Sequence, residues 1–192
     1  MRLLLTVGLL ATVTLSVAGK EPPKWLDKKV AGYLVAFDDL RQPVGIFDKK
    51  QGLYLLRMVE CDGGHLGVLL TRDRHLVSNW GHKVPNFKTQ NEGVVPLTEK
   101  PLPSLATGKG IKLGATPGDV TSKLGRPGKI QKSGPRKQFT DYLYTWRNVV
   151  KGEGEEWLNR YTFKEGRLIE IEFRRDSVPG CGGSYSHSSP CA

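Results

Sequence analysis

Apolar and polar positions alternate with a period of two along much of the C-terminal half of this chain. Ile169, Ile171 and Phe173 interleave with Glu170, Glu172 and Arg174, which predicts a strand with one buried and one wet face. Trp157, Tyr161 and Phe163 interleave with Leu158, Arg160 and Thr162, and a strand over Phe139 to Arg147 sets Tyr142, Tyr144 and Trp146 on one face. Lys164-Glu165-Gly166 suits a tight hairpin connection. Lys151-Gly152-Glu153-Gly154 suits a looser one.

The N-terminal half reads as short apolar runs punctuated by turns. Val30 to Phe37 stops at Asp38-Asp39, and Val44 to Phe47 at Asp48-Lys49-Lys50-Gln51-Gly52. Leu53 to Val59 precedes Cys61-Asp62-Gly63-Gly64, Leu66 to Leu70 stops at Arg72-Asp73-Arg74, and Leu76 to Trp80 at Gly81. Strands at this spacing predict an antiparallel meander. Residues 81–110 carry Pro85, Pro96, Pro101 and Pro103 and read as a connector holding a short strand near Val94-Val95.

One segment carries the signals of a helix. Thr116 is a good N-cap, Pro117 sits at the first helical position, and Asp119 faces the positive helix end. Val120 and Leu124 are four residues apart and share a face. Gly125 and Pro127 end the helix after about eight residues. A helix that short needs a surface to pack on. The expected fold class is α+β: an antiparallel β-meander, then a short helix packed on a three-stranded antiparallel sheet. The expected organisation is a β-rich region with its Pro-rich connector over 20–110, a helix-plus-sheet unit over 111–176, and a flexible Gly/Ser tail over 177–192.

Residues 1–19 change the picture. Arg2 precedes an apolar run from Leu3 to Val17, small residues follow, and Lys20-Glu21-Pro22-Pro23 ends the stretch. This reads as a signal peptide cleaved near Gly19 or Lys20, so the protein is expected in a periplasm or outside the cell. The run is short for a membrane span. The chain has three cysteines, Cys61, Cys181 and Cys191, and an exported chain permits disulfides. Cys181 with Cys191, and Cys61 with a tail cysteine, are the two pairings considered.

Gly114 to Pro127, with Val120 and Leu124 inside it, precedes an aromatic strand and then Tyr161-Thr162-Phe163-Lys164-Glu165-Gly166-Arg167-Leu168-Ile169. This arrangement resembles the SmpA/OmlA (BamE-like) domain and the related β-lactamase-inhibitor-protein fold, over residues 111–174. The resemblance implies an exported, non-enzymatic module that binds other proteins. No cofactor is expected. The chain departs from the pattern in lacking a lipid-bearing cysteine and a first helix, and in having strands over residues 30–80.

Across 192 residues, 29 Lys+Arg against 19 Asp+Glu leave a net charge of +10. The densest basic stretch holds Lys123, Arg126, Lys129, Lys132, Arg136 and Lys137, and it reads as a loop. Such a patch suits an acidic protein face or an anionic envelope surface; nucleic acid is a poor partner for an exported chain. The candidate binding residues are Arg126, Lys129, Lys132, Arg136 and Lys137 for steering, with Tyr144 or Trp146 as anchor. Tyr142, Tyr144 and Trp146 could equally be the sheet face beneath the helix, and that core reading is the favoured one, because Trp157, Tyr161 and Phe163 supply a matching apolar face on the neighbouring strand. Cys61 and His65 flank the Asp-Gly-Gly of a turn, so a secreted hydrolase built on them is the least favoured reading. His65, His75, His82 and His187 have no metal-ligand spacing. No phosphate-binding glycine loop is present. The expected function is an exported non-catalytic protein-binding module. The alternatives are an inhibitor of a secreted enzyme and a structural cell-surface component.

Overall fold

The computed structural model describes residues 20–35, 44–59, 65–74, 77, 97–150 and 153–178. A small hairpin, β1 (Lys29–Val30) and β2 (Tyr33–Leu34), comes first. It is followed by β3 (Val44–Asp48), β4 (Leu53–Val59), β5 (His65–Thr71) and β6 (Leu97–Glu99). Helix α1 (Pro117–Leu124) leads into β7 (Lys129–Ser133), β8 (Phe139–Val150), β9 (Glu153–Lys164) and β10 (Arg167–Val178).

The expected α+β class, a helix on a three-stranded sheet, is corrected to a mostly β fold: the described strands form an eight-stranded mixed sheet in the order β6-β3-β4-β5-β10-β9-β8-β7. All pairs are antiparallel except β3 with β6. The reason is the far side of β10. Its backbone groups need partners once buried, and β5 supplies them along Glu170↔Thr71 to Asp176↔His65. The meander and the C-terminal strands thus share one sheet. Two further expectations change. Val30 to Phe37 is not one strand, because the chain turns at Ala31 and Gly32, where positive φ angles of 49° and 90° suit a two-residue hairpin turn. A Cβ on Gly32 would also lie 2.6 Å from Pro103 Cγ. Within the strand expected over Leu76 to Trp80, Val77 is helical, as is Arg74 before it.

One sheet face carries the main core. Ile46, Leu55, Val68, Leu70, Tyr144, Trp157, Tyr161, Phe163, Leu168, Ile171 and Phe173 are buried together with Val30, Ile111, Val120 and Leu124 from the segments that cover them. Each fully buried aliphatic contributes about 1.5–3 kcal/mol. The helix forms where its caps direct it. Thr116 Oγ1 accepts from the Asp119 N–H at 3.1 Å, and the Asp119 carboxylate accepts from the Thr116 N–H at 2.8 Å. This reciprocal box satisfies donors the first turn leaves open. The backbones of Gly114 and Ala115 exchange hydrogen bonds with Leu168 at 2.7 and 2.9 Å, which fixes the helix entry to the start of β10.

The opposite face is less wet than the alternation of β10 predicts. The register shifts between Leu168 and Glu170, so Leu168, rather than Ile169, joins Ile171 and Phe173 in the core. Glu170 and Glu172 are 4% and 0% exposed. They lie inside a sheet whose neighbours reach over them: Arg160 pairs with both carboxylates and Arg174 with Glu172. Leu56, Leu69 and Val77 form a second apolar cluster on this face, with Tyr54 packed against it.

Candidate functional site

The basic stretch expected as a loop contains strand β7. Its five residues, Lys-Ile-Gln-Lys-Ser, show too little apolar alternation to announce a strand. They form one because β8 offers a free side, along which Lys129 faces Leu143 and Ser133 faces Phe139. Among the described residues β7 is the last strand of the sheet, and no described strand pairs with its outer backbone groups. Alternate side chains take opposite faces. Lys129, Gln131 and Ser133 share the face of Leu143 and Asp141, while Ile130 and Lys132 share that of Tyr142 and Thr140.

Arg126, Lys129, Lys132, Arg136 and Lys137 are all exposed. Among the described residues none of the five forms an ion pair. The Lys132 ammonium donates to Thr140 Oγ1 at 2.8 Å, and Gln131 Nε2 donates to the Asp141 carboxylate at 3.3 Å. Between Lys129 and Gln131, Ile130 is 54% exposed. A large aliphatic side chain amid five cations that have no ion pair among the described residues, on the terminal described strand, is the most distinctive surface feature described. Ile130 has a single signal in the sequence, an isolated apolar residue in a basic run, and is not among the expected site residues.

The turn after β7 is tightly built. Gly134 has φ 74°, and a Cβ there would lie 2.3 Å from Phe139 Cδ2. Arg136 and Lys137 both take left-handed φ values, 57° and 54°, a conformation that costs a non-glycine residue about 1–2 kcal/mol. The turn holds both cations outward beside the edge.

The aromatic anchor divides. Tyr144 is 1% exposed, between Trp25 at 5.6 Å and Tyr161 at 5.8 Å between ring centroids. Its hydroxyl donates to the Gly125 carbonyl at 2.9 Å. Burial, with Tyr142 nearby, pushes its pKa up to about 12. Tyr144 therefore cannot reach a partner, and the expectation that it anchors one is corrected. Trp146 is half-buried against the core and faces Trp157 across β8 and β9.

Nothing in the remaining chemistry assembles into a reactive centre among the described residues. Cys61, Cys181, Cys191, His75, His82 and His187 lie outside the described residues, and only the backbone of His65 is described, at the start of β5. No group of metal-ligating side chains is found among the described residues. The Arg160 cluster holds its carboxylates by charge: burial opposes the guanidinium charge, but Glu172 and Glu170 outweigh it and raise the Arg160 pKa. A shallow hollow of about 240 Å³ beside α1 is lined by Gly110, Ile111, Lys112, Ala115, Asp119 and Lys123. Two of its polar side chains are engaged already, Asp119 in the cap and Lys123 Nζ on the Gly110 carbonyl at 2.8 Å. No helix among the described residues is long and apolar enough to cross a membrane.

Comparison with family models, with curated proteins and with solved structures returns no match. The class of protein rests on the site itself.

Proposed function

We propose that this chain is an exported, non-catalytic protein-binding module of the cell envelope or extracellular space, with the β7 edge and its following turn as the contact surface. The observation that carries this reading is the exposed Ile130 flanked by Lys129 and Lys132 on a terminal strand. Hydrophobic contact at the centre with charge at the rim is how protein interfaces combine affinity with steering. The N-terminal pattern of Arg2, an apolar run and small residues supports export. The resemblance of residues 111–174 to SmpA/OmlA-like domains supports a binding role.

A photo-crosslinking residue at position 130 tests the reading in the native envelope. A discrete protein adduct is expected, and it should disappear from a chain also carrying Lys129→Glu and Lys132→Glu. Equal adduct formation after charge reversal refutes the reading, as does the same adduct from a crosslinker at Thr145, an exposed site on the neighbouring strand.

A further inference from the structure

We infer that the partner of β7 is an extended, acidic segment of another protein, which adds to the sheet as a further antiparallel strand. This rests on the β7 edge being the contact surface and goes on to name the chemistry that fits it. Among the described residues the backbone of β7 pairs on one side only, with β8. Its outward amides and carbonyls match an extended peptide about 4.8 Å away. Addition of a strand would satisfy them and cover Ile130.

The spacing of side chains defines the sequence that fits. Lys129 and Lys132 are three positions apart and therefore on opposite faces, with Ile130 on the face of Lys132. An antiparallel segment meets Lys132, Gln131, Ile130 and Lys129 in that order. The complementary run is acid, any residue, apolar, acid. Opposite charges directly across a strand pair are stabilising, and like charges are destabilising. No acid lies between Arg126 and Gln138, and Arg126, Arg136 and Lys137 extend the field beyond the strand.

The same charges argue against a second copy of this chain. An antiparallel pair of β7 edges centred on Gln131 would bring four lysines together, two from each strand, with no acid from either. Lysines on an edge strand are a recognised guard against such self-pairing. An acidic segment turns that guard into attraction.

The test is fluorescence anisotropy of the purified protein with a labelled peptide carrying Glu-Thr-Val-Glu within a run of threonines. Saturable binding is expected. It should weaken about tenfold or more when the protein carries Lys129→Glu and Lys132→Glu, and also when the peptide carries N-methyl groups on its central amides. Circular dichroism of the charge-reversed protein checks that the fold is kept, and the N-methylated peptide leaves the protein untouched. Undiminished binding of the N-methylated peptide overturns strand addition while leaving the basic surface as a partner site. Binding that ignores charge reversal overturns both this inference and the surface it rests on. Failure of the peptide to bind, or its displacement by a sulfated polysaccharide that binds the charged edge more tightly, overturns the acidic-strand partner.

Discussion

The hydroxyl of Tyr144, in the middle of β8, donates to the carbonyl of Gly125, the residue that ends α1. The helix stop is thus held to the sheet by a side chain whose ring is itself core. Tyr144→Phe removes the hydroxyl and keeps the ring. It should cost about 1 kcal/mol in urea denaturation and leave partner binding unchanged, because the side chain is buried. A loss of binding equal to that of the charge-reversed edge would restore Tyr144 as a contact residue.

The Arg160 cluster offers a larger effect. Arg160→Met takes from buried Glu170 and Glu172 the arginine they share, leaving Arg174 on Glu172. The expected destabilisation is about 3–5 kcal/mol. Adding Glu172→Leu should recover part of that loss, since an apolar pair replaces a buried carboxylate that has lost one of its two arginines. Stability curves for the two single variants and the double variant decide it; simple additivity would mean that the two side chains do not act as a pair.

Asp119 gives the acid response a defined contributor. Hydrogen bonding from the Thr116 N–H, then from the Thr116 hydroxyl, lowers its pKa. A carboxyl lowered in the folded state adds stability above its unfolded pKa, and that stability disappears as pH falls through the folded value. Asp119→Asn should therefore lower thermal stability at neutral pH and flatten its decline below about pH 4. Parallel melting curves across this range would show a wild-type and a variant profile of the same shape if Asp119 had no such role.

The two glycine-dependent turns should respond in opposite directions. Gly134→Ala drives a Cβ into the Phe139 ring and into a left-handed backbone, and a loss of about 2 kcal/mol or more is expected. In the hairpin between β9 and β10, Glu165 has φ 50° and Gly166 φ 72°. Glu165→Asn places a residue suited to that conformation and should add about 0.5 kcal/mol. Chemical denaturation of both variants checks the signs.

The features legible in the sequence are those set by near neighbours. Thr116, Pro117, Asp119 and Gly125 mark the helix ends through contacts within a few residues, and Val120 and Leu124 are buried as their spacing predicts. The Glu165-Gly166 turn is equally local. Pairing between β5 and β10 is not written in either strand, because alternation fixes a face and leaves the neighbour open. The extra residue at Ile169 shifts which apolar side chain reaches the core, and nothing in Arg-Leu-Ile-Glu signals it. Lys129–Ser133 lacks the alternation by which a strand is read, so the basic edge looked like a loop. Its charge was legible and its geometry was not. The tail cysteines fall outside the described residues.

The seam where β5 meets β10 has a consequence during biosynthesis. Thr71 faces a strand whose Ile169 lies 98 residues further along the chain. As the polypeptide emerges, Leu66 to Thr71 waits with an unmatched flank until nearly the last strand arrives. Such nonlocal closure is slow, and an apolar segment left waiting invites the wrong neighbour. Until β10 is made, that flank is the part of the nascent chain most open to mispairing with others like it.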